Sequence, residues 1–434
     1  MKKASSKRTL PLLGAGILAA GILTAAGLPG EEAAYTGSPA VSAAYSPAAA
    51  ATQPVVPDSR AAEAKAGIRT DKQEAAFVQL QQVRFLTATT GWMIRSDSAP
   101  SGKQTLRLVV TQDGMRSLTE HKLPGDYAAG IGLSDAQTGW VLVYEAPRKT
   151  SGTVSGYSRA RLLHTRDGGK TWKTQWSKTG SYPASSQREN AVTVVGPRSA
   201  YAIIGPDLLV TRDGRSWSKA AFGRQDFVPT QVSFANARNG WAAGTMPPHE
   251  DDSDARVVSV LHTSDGGRIW SKQLTVGPTN ENSDSSQLRS AALDFVDAKT
   301  GFLLTDDPST MTGVLYRTTN GGASWRMVNG GLRSHRPLIT GMDFADGQAG
   351  WLYASPGAGP VEGGLMITRD GGKTFAHEPD AGYDLSFAQY FKSGSGYAAG
   401  RTFEGEDYLT RTRDGGETWT PVYRPYSVPG RSAE

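Results

Sequence analysis

Three groups of side chains in this 434-residue chain have types and spacing suited to chemistry. The first is an acid that recurs in Thr-x-Asp-Gly-Gly-x-Thr-Trp and its variants: Asp113, Asp167, Asp213, Asp265, Asp370 and Asp414, with Asn320 in the equivalent place. Such a carboxylate can serve as an acid or base, or it can accept N–H bonds inside a turn as Asx turns do. Seven equivalent positions cannot all be catalytic, so the turn role is the expectation and no catalytic residue is nominated. The second group is His249-Glu250-Asp251-Asp252-Ser253-Asp254, whose Asp251, Asp252 and Asp254 offer oxygen ligands to a hard cation such as calcium. The run lacks the spacing and glycine of an EF-hand loop, so a solvated acidic loop is preferred and no cofactor is expected. TDDPST (305–310) has the same standing. The third group, Arg289, Arg333, His335 and Arg336, offers cationic partners for anionic groups. The alternative is ordinary surface basic residues. Six scattered histidines show no zinc spacing, and no glycine-rich phosphate loop sits between a strand and a helix. Cys is absent, which excludes disulfides, thiolate metal sites and cysteine nucleophiles.

The elements that position these residues form a repeat. The best copies of the Asp element are TRDGGKTW (165–172), TRDGGKTF (368–375) and TRDGGETW (412–419). TSDGGRIW (263–270) and TTNGGASW (318–325) are close, TRDGRSW (211–217) is one residue short, and TQDGMRSL (111–118) is decayed. Between them runs a second element, an apolar leading residue followed by Gly and an aromatic: Phe85…Gly91-Trp92, Leu133…Gly139-Trp140, Phe234…Gly240-Trp241, Phe295…Gly301-Phe302, Phe344…Gly350-Trp351 and Tyr390…Gly396-Tyr397, with Val194…Ala200-Tyr201 as a degenerate copy. Nine of the ten tryptophans fall in these two elements, Trp176 being the exception. Asp-Gly-Gly between two apolar segments is a hairpin signal. Trp172, Trp217, Trp270, Trp325 and Trp419 each bring a large side chain to bury against a neighbouring strand.

Each repeat reads as four strands, exemplified by QVSF (231–234), GWAAG (240–244), VVSVLHT (257–263) and IWSKQL (269–274). The fold expected is all-β, a seven-bladed β-propeller of four-stranded antiparallel blades, whose radial closure protects strand edges. AAFVQL (75–80) is read as a strand closing the last blade. In an up-and-down blade the Asp turns share one face with the turns between first and second strands. The opposite face then holds the long irregular segments 145–160, 178–190, 245–256, 276–288, 305–313 and 355–364. Loops on a rigid scaffold are where binding concentrates, so the site is expected there. The four basic residues, just ahead of the first strands of blades five and six, would line the mouth of the central channel.

The two coupled elements, over about residues 78–427, resemble the Asp-box, or bacterial neuraminidase repeat, of β-propellers. Their pairing looks most like propellers related to the photosystem II stability and assembly factor. That resemblance implies an assembly role for a membrane complex, and it makes basic residues on one face worth testing. Sialidases and xyloglucanases share the Asp-box alone. Sialidases carry an Arg-Ile-Pro motif, three arginines and a Tyr-Glu pair. This chain has no Arg-Ile-Pro, and Arg84 and Arg95 beside the first Gly-Trp find no convincing Tyr-Glu set. Xyloglucanase relatives use two propellers, and one is read here.

Residues 10–28, LPLLGAGILAAGILTAAGL, follow a basic start and contain no charge. That is the pattern of a secretory signal, ending at Val41-Ser42-Ala43, or of an uncleaved anchor, since about 20 apolar residues span a bilayer. Residues 1–43 are assigned as the leader, 44–74 as an Ala/Pro-rich linker and 75–430 as the propeller. The protein is expected to be secreted or extracytoplasmic, or anchored through residues 10–28. Removing residues 1–43 takes 4 of 46 basic and 2 of 41 acidic side chains, turning the net charge from +5 to +3. No basic run with interleaved aromatics appears, so no nucleic-acid partner is expected. The reading reached is an exported, monomeric, non-catalytic module that binds a protein or cell-surface glycan. A sialidase- or xyloglucanase-like glycoside hydrolase is the alternative, and a purely structural wall component differs from the first only in lacking a discrete ligand.

Overall fold

In a computed structural model the described residues are 77–99, 104–147, 156–183, 191–223, 226–247, 256–277, 288–307, 312–333, 338–356 and 363–425. The chain divides into two units, Met1–Pro54 and Val55–Glu434, and every described residue lies in the second. The leader and linker assignments fall outside the described residues.

The described chain forms seven four-stranded antiparallel sheets, each built from four strands consecutive in sequence. The blades span 77–123, 127–183, 192–219, 228–276, 289–333, 338–378 and 384–423. Blade 4 shows the pattern: Val228–Phe234, Gly240–Met246, Val257–Thr263 and Ser271–Val276. Second strands are buried almost throughout, as in Gly139–Glu145 and Gly301–Asp307. Their first four or five residues read as apolar runs, as in Gly301–Leu304 and Gly139–Val143, because a neighbouring blade covers each side. Fourth strands are outermost, and Ser271–Val276 is largely exposed or half-buried.

The core is not central but divided among the seven junctions between blades. Trp92 of blade 1 packs with Leu133 and Val141 of blade 2, and Trp140 of blade 2 with Val192 and Ala202 of blade 3. The series continues to Phe85 and Met93 of blade 1 with Tyr397 and Leu409 of blade 7, which closes the ring. In five junctions the second-strand aromatic stacks on the leading aromatic of the following blade. The pairs are Tyr201–Phe234, Trp241–Phe295, Phe302–Phe344, Trp351–Tyr390 and Tyr397–Phe85, with ring centroids 3.5–4.4 Å apart.

The closing-strand expectation is corrected. Phe77–Phe85 is the first strand of blade 1 itself, with Phe77–Leu80 paired to Arg95–Ser98, and blade 7 is complete from 384 to 423. Among the described residues no strand is exchanged across the seam, and side chains tie blades 1 and 7 together.

The glycine of Gly-Trp follows from this packing. A Cβ on Gly350 would lie 2.2 Å from Cδ1 of Phe344, directly across the strand pair. In blade 3 the leading residue is Val194, no ring crosses the partner strand, and Ala200 stands where the glycine would be. The degenerate copy is therefore a matched pair of changes.

Candidate functional site

The recurrent acids are occupied inside their turns. Oδ1 of Asp167 accepts from the Thr171 N–H at 2.9 Å and from Thr165 Oγ1 at 2.7 Å, while Oδ2 accepts from Thr171 Oγ1 at 2.6 Å. Asp113, Asp213, Asp370 and Asp414 repeat the arrangement with Ser117, Ser216, Thr374 and Thr418. Asp265 keeps its backbone bonds, but Ile269 stands in the hydroxyl position. Asn320 accepts from the Ser324 N–H at 2.9 Å and donates through Nδ2 to Ser324 Oγ. These bonds favour the ionised form and hold the carboxyls of Asp167, Asp213 and Asp414 well below the usual range.

The same turns weld one face shut. In six blades the glycine after the acid, or after Asn320, donates to a carbonyl in the turn between first and second strands, such as Gly168 to Gln137 at 2.8 Å and Gly415 to Gly394 at 2.7 Å, while Gly214 donates to Thr211 Oγ1 instead. Trp172, Trp270, Trp325 and Trp419 reach back over the junction with the preceding blade, and Trp419 lies 5.4 Å from Trp351. Trp217 packs there too and donates to Gln175 Oε1 at 3.0 Å. Gln175 also accepts from Trp140 and donates to the Gly214 carbonyl of the next blade; Gln273 does the same with Trp241 and Gly321. Sequence reasoning passed over both glutamines, because they lie outside the two repeated elements.

The antiparallel order puts the connections between second and third strands, and those between blades, on the opposite face. Arg289 opens the first strand of blade 5 there, and its Nε and Nη2 both donate to Asp306 Oδ2, at 2.9 and 2.6 Å. Its cationic edge is thus engaged with its own blade. Arg333 ends the fourth strand of that blade, ahead of the next first strand, which opens at Leu338. His335, Arg336, Asp251, Asp252 and Asp254 lie outside the described residues. Among the described residues no group of three or more His, Cys, Asp or Glu side chains could hold a metal ion.

First strands form the inner ring, so one backbone edge of each faces the central channel with no strand to pair it. Side chains supply the missing partners. In four blades the residue before the leading residue reaches to the next blade: Ser233 Oγ accepts from the Phe295 N–H at 2.9 Å, Asp294 Oδ2 from Phe344 at 2.8 Å, Asp343 Oδ2 from Tyr390 at 2.6 Å and Gln389 Oε1 from Phe85 at 3.0 Å. This ring brings Asp294 and Asp343 together, with Arg84 of blade 1 within electrostatic reach. Burial pushes both carboxyls well above the usual range, and the Asp294 charge pushes Asp343 further; the N–H bonds and Arg84 pull the other way. The ring escaped the sequence reading because its members share a position, one before the leading residue, and not a residue type.

The loop face carries one more feature the sequence did not signal as a site. Tyr383 and Phe403 are both exposed, with ring centroids 6.3 Å apart and planes at 71°. Tyr383 lies in the connection from blade 6 to blade 7, and Phe403 in the turn between second and third strands of blade 7. The other exposed large apolar residues among those described are Leu86 and Ile269, in turns on the Asp-turn face, and Met327 on an outermost strand.

No family model matches the chain, and no curated protein matches it. Solved structures do. A puromycin-hydrolyzing peptidase from Mycobacterium tuberculosis is 11% identical with a TM-score of 0.54, covering 82% of this chain and 54% of its own. The β-propeller domain of the Trilobed protease from Pyrococcus furiosus, described as having an open velcro topology, is 9% identical with a TM-score of 0.52, covering 81% and 97%. The GH74 xyloglucanase from Xanthomonas campestris is 14% identical with a TM-score of 0.40, covering 76% and 58%. The chain thus spans little more than half the length of the peptidase and the xyloglucanase. These comparisons correct the expectation that the chain is not an enzyme. The two reported structures with TM-scores above 0.5 are a peptidase and a domain of a protease, so the propeller gives no ground for excluding catalysis. At 9–14% identity the likeness shows fold alone and transfers no activity. The chain is a seven-bladed β-propeller, similar in fold to the M. tuberculosis peptidase and the P. furiosus protease domain.

Proposed function

We propose that this propeller recognises a protein or a cell-surface polymer through its loop-rich face, after export directed by residues 1–43. One observation carries the reading: the two faces are built differently. On the Asp-turn face the polar groups of six blades are tied turn to turn by the bonds from Gly114, Gly168, Gly266, Gly321, Gly371 and Gly415. Among the described residues the loop face presents the exposed Tyr383–Phe403 pair. Read as Asp-boxes, the turns are scaffold, and the likeness to photosystem II assembly-factor-like propellers supports a role in assembling a larger complex.

The test is chemical cross-linking on intact source cells, followed by mass spectrometry of peptides joined to this chain. A discrete partner attached to residues of the 247–256, 379–383 or 402–406 connections is the expected result. Partners attached to the Asp turns or fourth strands instead would overturn the reading.

A further inference from the structure

We infer that the loop surface of blades 6 and 7 is a docking site for a cationic peptide segment, one bearing Arg or Lys, received against the exposed ring faces of Tyr383 and Phe403. This rests on the loop-face reading above and names its partner class.

Phe403 is 85% exposed, which no packing within the blade accounts for. It is not on a slack loop. Thr402 donates to the Glu406 carbonyl at 2.8 Å, Gly405 to the Thr402 carbonyl at 3.0 Å, and Glu406 to Thr402 Oγ1 at 3.2 Å. Gly405 turns the chain with φ +86°, so Phe403 and Glu404 stand at the tip of a closed turn. Tyr383 is fixed from its own side. Gly382 has φ +129°, and a Cβ there would meet Tyr408 Oη at 1.5 Å, so the buried Tyr408 sets the path of the chain into Tyr383. Two aromatic rings at a steep angle on pinned backbones form a cradle whose shape exists before any partner arrives, which lowers the ordering cost of binding.

Charge selects the occupant. The two segments that carry the rings, 378–384 and 401–407, hold Glu378, Asp380, Asp384, Glu404 and Glu406 at exposed or half-buried positions and Asp407 buried, against a single basic residue, Arg401. That arginine already donates to Asp407 at 2.9 Å. The acidic surface stands out on a chain whose overall charge is positive. A guanidinium or ammonium gains charge-assisted hydrogen bonds from the carboxylates together with the aromatic faces, whereas a neutral sugar stacks and hydrogen-bonds without the charge attraction, and an acidic partner is repelled.

The test is fluorescence anisotropy of labelled deca-arginine and deca-lysine with the full chain, at about 0.15 M salt, where screening reaches within about 8 Å. Deca-glutamate and cellohexaose serve as comparison probes. The expected result is binding of the cationic peptides, weakened about tenfold by either Phe403→Ser or Glu404→Gln. Both positions are exposed tips, and unchanged thermal melting of the variants would show that the blade persists. Cationic binding indifferent to Phe403→Ser, cellohexaose binding that requires Phe403, or no binding of any probe would each overturn the inference. None of these touches the face reading, which fails separately if cellular cross-links map to the Asp turns.

Discussion

The ring of Tyr397, in the last blade, lies on the ring of Phe85, in the first, with centroids 3.7 Å apart and planes 5° from parallel. The same pairing joins consecutive blades elsewhere, so the first and last blades meet by the rule that governs the others. Around the stack, Gln389 accepts from the Phe85 N–H and donates to its carbonyl at 2.8 Å, Tyr397 Oη donates to the Ala88 carbonyl at 2.8 Å, and Arg411 donates to the Gly114 carbonyl at 2.8 Å.

The seam therefore depends on a few side chains. Tyr397→Ala removes a fully buried ring and is expected to cost about 3–5 kcal/mol. Tyr397→Phe keeps the stack and loses one hydrogen bond, about 1 kcal/mol. Urea unfolding midpoints would separate the two, and near-equal losses would refute the stack as the principal tie.

Much of the fold was legible because the repeat pairs a ring with the glycine it crosses, as Phe344 with Gly350. Even the decayed copies follow physical rules: Leu118 replaces the turn tryptophan and is still buried against Phe85 and Tyr397. Met115, in place of the second glycine, adopts φ +72° and buries its side chain in the seam. The channel ring was not legible, since Ser233, Asp294, Asp343 and Gln389 share only a geometric task. The seam was misread because nothing in residues 75–80 distinguishes a first strand from an exchanged one. Tyr383 and Phe403 lie outside the periodic positions, and only their proximity in space gives them meaning.

Acid should loosen the Asp turns. Their folded carboxyls sit below the unfolded value of about 3.9, so the stability they add is present above that value and is lost as pH falls through the folded one. These groups are well solvated, so each effect is small. Asp167→Asn and Asp414→Asn should flatten the decline in unfolding midpoint between about pH 4 and pH 2, while Asn320→Asp should steepen it. An Asn320→Asp profile parallel to wild type would contradict this account.

The channel pair should respond in the opposite sense. A carboxyl whose folded value is raised costs stability as pH climbs from the unfolded value through the folded one, because the folded state holds its proton longer. Asp343→Asn keeps an acceptor for the Tyr390 N–H and removes the charge. It should be more stable than wild type at neutral pH and should lose that advantage by about pH 4. Arg84→Gln, which withdraws the cation that both carboxylates feel, should deepen the neutral-pH deficit. Denaturation midpoints of the three proteins across this range decide the matter, and a pH-independent difference would rule it out.

The glycine of the second strand gives the sharpest test of how the repeat is built. Gly350→Ala forces a Cβ against the Phe344 ring, and that ring cannot retreat because it lies 3.6 Å from Phe302, centroid to centroid. Overpacking of this kind costs about 1–3 kcal/mol. Phe344→Val alone loses a buried ring and leaves a cavity, at a cost of about 3 kcal/mol. Together the two changes reproduce the Val194–Ala200 pairing that blade 3 already tolerates. The alanine methyl then occupies space that the ring has vacated. The double variant should consequently be more stable than the sum of the single losses predicts, by about 1 kcal/mol or more, where distant sites would add to within a few tenths. Simple additivity in a double-mutant cycle would mean that the glycine is held by something other than the ring across from it.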